Sequence, residues 1–353
     1  FHDQLESSGA NLAFSCGSQH AWFRGKALAE DSELLFRLSS DCLKNPSFEN
    51  EYVERLRNQL ITGLTIRDQD TSETASLLLD RNLFPNHPYG HPVDGHIETI
   101  RSITRSDILQ FHDRMYSPVD LIIVVAGAID DREISDLADQ SFSSWNKTSS
   151  IQEEKPKIPP PPSNIIRKHK FLVGICQVDI LMGCFGPHRT SPDYLPVYIG
   201  NNILGQFGLM GRIGKAVRSK SGLAYHASSS ISAWSDTGVW EFSAGVNPDN
   251  VNKTIQLIQK ENKRYVETQV SEDELDNSKS HLVGRMPMSL ESNAGLANSI
   301  LTMQRFELGF DYYQKYEEGI RSISTKQILS ASKKYLHPDH MVIASAGPGE
   351  ETL

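Results

Sequence analysis

Twelve histidines in 353 residues are the natural starting point for a metal or acid–base site. A hydrolytic zinc needs two imidazoles and a carboxylate held by rigid elements, most often with the histidines close together on one helix. Neither HExxH nor the inverted HxxEH occurs. The closest approach is His87-Pro88-Tyr89-Gly90-His91-Pro92, with two histidines four apart. Its prolines and glycine exclude the helix that would aim both rings at one ion, so a turn is expected. His337 and His340 flank Pro338 and fit a solvated helix end. Nucleophilic chemistry has no better footing: there is no GxSxG elbow, and no cysteine sits in a nucleophile signature. The stretch Gly205 to Gly211 lacks the Lys-Ser/Thr of a phosphate-binding loop and the spacing of a dinucleotide fingerprint, and reads as a turn entering a helix.

Bulk properties narrow the partners. A net charge of −9 and an isoelectric point near 5.8, with no dense Lys/Arg run, argue against nucleic acid. No apolar stretch approaches the ~20 residues of a membrane span. The opening FHDQLESSGANL has neither an initiator Met nor a basic-then-apolar leader profile, so residue 1 is expected to lie within a longer gene product. Four cysteines (Cys16, Cys42, Cys176 and Cys184) with no CxxC pair fit reduced, mostly buried thiols. A soluble, cytoplasmic protein is the expectation.

The elements that would position any site come in two copies. Residues 100–127 (IRSITRSDILQFHDRMYSPVDLIIVVAG) and 320–347 (IRSISTKQILSASKKYLHPDHMVIASAG) align without a gap at an offset of 220. Each copy has a helix-capping pattern, Thr104 with Asp107 and Ser324 with Gln327. Each then runs through a helix to a proline, Pro118 or Pro338, and on to an apolar strand, Leu121 to Val125 or Met341 to Ala344. Amphipathic patterns predict further helices at 26–43, 49–66, about 249–268 and about 271–290, the last opening on a Ser271/Glu274 box. On 49–66, Val53, Leu56, Leu60 and Leu64 share a face. EEKPKIPPPPSN, residues 153–164, holds four consecutive prolines and reads as a stiff, extended linker. The prediction is an α+β chain of two duplicated domains, 1–150 and 164–353, joined by a linker at 151–163. Each would be a mainly antiparallel sheet packed with helices.

One segment carries a resemblance. NILGQFGLMGRIGKAVRSKSGLAYHASSS, residues 202–230, resembles the second domain of the pitrilysin/insulinase zinc peptidases, which include the mitochondrial processing peptidases. The match rests on the Gly-rich turn, on Val217-Arg218 and on Ser221-Gly222-Leu223-Ala224-Tyr225. It continues through GVNPDNVNKTIQLI (245–258), LKNPSF (43–48) and HPYGHP (87–92). In that family an Arg and a Tyr seven residues apart reach the zinc site of the opposing half or partner, and Arg218 and Tyr225 match them in type and spacing. A guanidinium and a phenol are donors suited to a developing oxyanion; packing at a helix end and a strand start would also account for both residues.

The resemblance breaks at the metal. Family members place HxxEH near the start of domain one, which here would lie before Phe1. They complete the site with a Glu in the helix after an Asn-Pro-x-Phe turn, here Asn45-Pro46-Ser47-Phe48. Along that pattern the ligand position falls on Gly63 and a supporting acidic position on Leu56, while Glu49, Glu51 and Glu54 lie too early. QLITGL (59–64) is instead similar to HLVGRM (281–286) at the duplicated place. The resemblance therefore implies a non-catalytic subunit or half. It would hold no zinc, pair with a homologous catalytic subunit or half that carries the zinc, and bind unfolded peptides by strand addition. Two alternatives stay open: an active zinc endopeptidase whose HxxEH lies upstream of residue 1, and a structural core scaffold.

Overall fold

In chain order, the computed structural model describes residues 1–146, 156–206 and 211–349. The first half runs α1 (His2–Ser7), β1 (Asn11–Cys16), β2 (Ala21–Lys26), α2 (Ser32–Lys44), α3 (Asn50–Arg67), α4 (Thr71–Leu83), α5 (Ile97–Ser102), α6 (Arg105–Met115) and α7 (Asp131–Phe142). The second runs β3 (Ile166–Phe171), β4 (Val178–Gly186), α8 (Tyr194–Asn201), α9 (Arg212–Gly214), β5 (Ala224–Ala233) and β6 (Gly238–Val246). It ends with α10 (Val251–Glu267), α11 (Glu272–Leu290), α12 (Asn293–Arg305), α13 (Tyr312–Ser322), α14 (Thr325–Tyr335) and β7 (Val342–Gly347).

The repeat is visible in the elements. Helices α6 and α14 begin at the same place in their copies, each behind a closed capping box. Asp107 accepts from the Thr104 amide at 2.8 Å, and Gln327 accepts from the Ser324 amide at 2.9 Å. Ser271 and Glu274 close a third such box ahead of α11. Helices α4 and α12 are each 13 residues long.

The residues form two compact units: Phe1–Leu64, Val93–Lys155 and Leu290–Leu301 make the first, and Thr65–Pro92, Pro156–Ser289 and Thr302–Leu353 the second. Helix α4 thus belongs to the second unit, although it lies in the first half of the chain. In the second unit five strands run in the order β3-β7-β4-β6-β5, all neighbours antiparallel except β3 with β7. This is the expected α+β architecture. Strand alternation splits the core between the two sheet faces. Ile180, Met182, Trp240, Phe242 and Ile343 face helices α8, α10, α11 and α14. Leu181, Val239, Val342, Ala344 and Ala346 face α4, which buries Ala75, Leu79 and Leu83 at four-residue spacing. Gly183 on β4 makes this approach possible, because a Cβ there would lie 3.0 Å from Leu79.

The first unit holds the two-stranded β1–β2 hairpin, with Leu5, Leu12 and Leu38 in one small core and Phe36, Phe142 and Trp145 in another. Here the structure corrects two expectations. Leu121–Val125 is not a strand: its copy β7 pairs with β3 and β4, whereas 121–126 has no ladder partner among the described residues. Leu121 and Ile123 pack instead against the Phe36, Phe142 and Trp145 core. The helix predicted from residue 26 starts at Ser32, since Lys26 closes the ladder of β2 opposite Asn11. The thiols also differ from expectation. Cys184 is buried, Cys42 is half-buried and Cys16 and Cys176 are exposed, all four free. Of the expected linker, residues 151–155 lie outside the described residues.

Candidate functional site

Arg218 lies in a π-helical turn, Lys215–Ser219, that continues α9. Such turns are uncommon and concentrate at functional sites. The segment is fixed from inside by Ile213 and Val217, both fully buried. It is anchored from α11 by Glu274, whose carboxylate takes two bonds from Arg212, at 2.8 and 2.7 Å. Arg218 itself is exposed and forms no ion pair with a described residue. The chain leaves this turn through Gly222 at φ +64°, a left-handed conformation that favours glycine. Two backbone bonds close the exit, from the Gly222 amide to the Arg218 carbonyl at 2.9 Å and from the Leu223 amide to the Val217 carbonyl at 3.1 Å.

Tyr225 follows as the second residue of β5 and is the extra residue of a β-bulge. Ala224 pairs with Val246 and His226 with Gly245, leaving Tyr225 without an opposite number. The bulge shifts the strand's phase, so Ala224 and Ala227 both face the core while Tyr225 stands out, 76% exposed. Strand β5 is an edge of the sheet, with β6 as its one neighbour among the described residues.

A polar cluster that sequence reading missed sits beneath the bulge. His226 Nε2 lies 3.8 Å from Asp179 Oδ1 on β4, and Asp179 is almost wholly buried. Asp179 also accepts from the Thr71 hydroxyl and, at 3.1 Å, from Gln177 Nε2. Gly245 makes room for all three side chains: a Cβ there would lie within 3 Å of His226, Gln177 and Asp179. Farther along β5, Asn201 ties the strand to its neighbours. Its Oδ1 accepts from Ser229 Oγ at 2.6 Å and from Trp240 Nε1 at 2.9 Å. The one sequence signal for the cluster was His226 itself, next to Tyr225; the tie to Asp179 crosses two strands and no local spacing encodes it.

The expected metal position is a different matter. Gly63 lies in α3 with open space where a Cβ would be, and so does Gly284 at the duplicated place on α11. Leu56 is 54% exposed rather than part of the buried stripe expected on that helix. Glu54 is engaged with Arg57 at 3.1 Å, and Arg57 in turn donates to the carbonyls of Ile100 and Ile103 at the end of α5. The Asn45–Phe48 turn ahead of α3 is held by Arg105, which donates to the carbonyls of Phe48 at 2.6 Å and Ser47 at 2.9 Å. The residues at the expected place therefore do not fit a hydrolytic zinc, since neither glycine nor leucine offers a donor. No group of three or more His, Cys, Asp or Glu among the described residues could hold a metal ion.

The remaining histidine patterns take the forms expected of them. His87 to His91 is a turn, in which buried His87 accepts from the Tyr89 amide at 3.1 Å. His337 and His340 are exposed beyond the end of α14. The middle of the Gly-rich stretch, 207–210, lies outside the described residues.

The family model of the peptidase M16 inactive domain matches residues 102–282, just over half the chain and the stretch that holds Arg218 and Tyr225. The chain belongs to this family. An uncharacterized zinc protease of Mycobacterium leprae is 25% identical over 324 residues, 90% of this chain and 71% of that protein. Subunit 1 of the mitochondrial cytochrome b-c1 complex of Rattus norvegicus is 24% identical over 370 residues, 99% of this chain and 74% of that protein. Among solved structures, the peptidase M16 inactive domain from Pseudomonas fluorescens superposes with a TM-score of 0.88 at 24% identity, over all of this chain and 84% of that one. The resemblance seen in the sequence thus holds, and with it a peptidase-like fold whose zinc-site positions are lost in these residues. No helix among the described residues is long and apolar enough to cross a membrane.

Proposed function

We propose that this chain is a non-catalytic M16 subunit or half that pairs with a homologous, zinc-bearing one and helps it bind and cleave peptides. The observation that carries the reading is a contrast on one chain. The expected metal-ligand position is glycine in open space, while Arg218 stands exposed on a π-helical turn and Tyr225 on a β-bulge. Here the two halves, 1–150 and 164–353, are copies joined at 151–163. Arg218 and Tyr225 reach the partner's site and donate to the peptide carbonyl as negative charge develops on its oxygen. The open edge of β5 offers backbone groups to an extended, unfolded peptide, with Tyr225 at the start of that edge. No step is assigned to a metal in this chain.

The test pairs the protein with an HxxEH-bearing homologue from its own genome and follows cleavage of an internally quenched peptide. Arg218→Ala should lower kcat by about 10²–10³ and leave complex formation intact, the size expected for one oxyanion donor. Tyr225→Phe should act in the same direction. An unchanged kcat in Arg218→Ala would refute the shared-site reading.

The similarity to a cytochrome b-c1 subunit favours a second reading, a structural core scaffold. In that role both variants would assemble normally and no cleavage would depend on them.

A further inference from the structure

The second unit carries another concave site that the reading above does not use. Helices α8, α11 and α13 and the loop before α8 wall a cleft of about 270 Å³. One side is aromatic, with Tyr194 and Tyr198 from α8 facing Tyr312, Tyr313 and Tyr316 from α13. Tyr194 and Tyr198 stack at 5.7 Å, and Tyr312 meets Tyr313 edge-on at 5.2 Å. Two arginines line the cleft as well. Arg189 lies 4.3 Å from the Tyr194 ring centre and 5.3 Å from that of Tyr312, and donates to the Tyr312 hydroxyl at 3.1 Å. Arg285, on α11, stands exposed at the cleft.

No carboxylate lines this cleft, and neither arginine forms an ion pair with a described residue. Two guanidiniums beside aromatic faces, with no carboxylate in the lining, favour an anion in this recess. The tyrosines reinforce this. Burial pushes the Tyr194 phenol up to about 12 and raises that of Tyr316 as well, so both hydroxyls keep their protons at neutral pH and can donate. A recess that offers cationic and hydroxyl donors against ring faces is complementary to an acceptor-only anion on a flat or branched apolar body. The arginine fork matches a carboxylate in shape. The volume accommodates roughly one large amino-acid residue.

We infer that this cleft binds an organic carboxylate carried on an aromatic or large apolar group, as a free small acid or as the C-terminal residue of a peptide. The inference stands apart from the role of Arg218 and Tyr225.

The test titrates the whole chain with 3-phenylpropionate, with its amide, and with a short peptide ending in Phe as free acid or amide, read by calorimetry and ligand-observed NMR. The acid should bind with a Kd of about 1 mM or tighter, and its amide at least about tenfold more weakly. Arg285→Gln, at an exposed position, should weaken the acid about tenfold, leave the amide unchanged and leave thermal melting unaltered. Displacement of phenylpropionate by the peptide acid would mark a chain terminus as the occupant; binding of the small acid alone would mark a free acid. The inference is overturned if acid and amide bind equally. It is overturned too if Arg285→Gln leaves the acid's affinity unchanged, or if no acid binds up to about 10 mM.

Discussion

Gly63 is the residue on which the proposed loss of zinc turns. At this place a zinc ligand would need a side chain with a donor, and glycine supplies none. Its helix loses by it too, since a mid-helix glycine costs backbone entropy relative to alanine. Because nothing lies within 4 Å of a Cβ at Gly63, Gly63→Ala should raise stability by about 0.5–1 kcal/mol in chemical denaturation. A loss of stability would mean that the position is more constrained than its open surroundings indicate. Arg218, Tyr225 and Gly63 could be singled out in sequence, because the family pattern that the chain resembles places a role at each. Asp179, Gln177 and Thr71 were not: they meet His226 from separate elements, and only the folded sheet brings them together.

At the scale of elements, what was legible was local. The capping boxes at Thr104, Ser271 and Ser324 and the helices behind them follow from side chains three residues apart. What depended on distant pairing was not legible. Leu121–Val125 has the composition of a strand but no ladder partner among the described residues, and α4 gave no sign in sequence that it would cover the sheet of the second unit. Helix α4 is held there chiefly by Ala75, Leu79 and Leu83, and by the absence of a side chain at Gly183. Leu79→Ala should therefore cost about 2–5 kcal/mol, measured as a lower denaturation midpoint. A change below about 0.5 kcal/mol would show that α4 is peripheral to the unit's stability.

Over the whole molecule, two carboxylates give the second unit opposite sensitivities to pH. Hydrogen bonds from Arg212 hold Glu274 down at about 2, so its contribution is present above its unfolded value near 4.5 and is lost as pH falls towards 2. Burial, and then the nearby charge of Glu241, raise Asp80 to about 7. Its protonated form therefore favours the fold below about 4, and that contribution is lost as pH rises through 7. Denaturation midpoints should peak in mildly acidic solution. Asp80→Asn should flatten the decline between about pH 4 and 7, raising stability at pH 8 by on the order of 2 kcal/mol. An unaltered decline would remove Asp80 as its source. Zinc content separates the two fates of this chain, and elemental mass spectrometry on the purified protein, expressed from its natural start codon, reads it. Far less than one zinc per chain is expected. About one zinc per chain, removed by mutating an upstream histidine, would contradict that expectation and make this protein a peptidase in its own right.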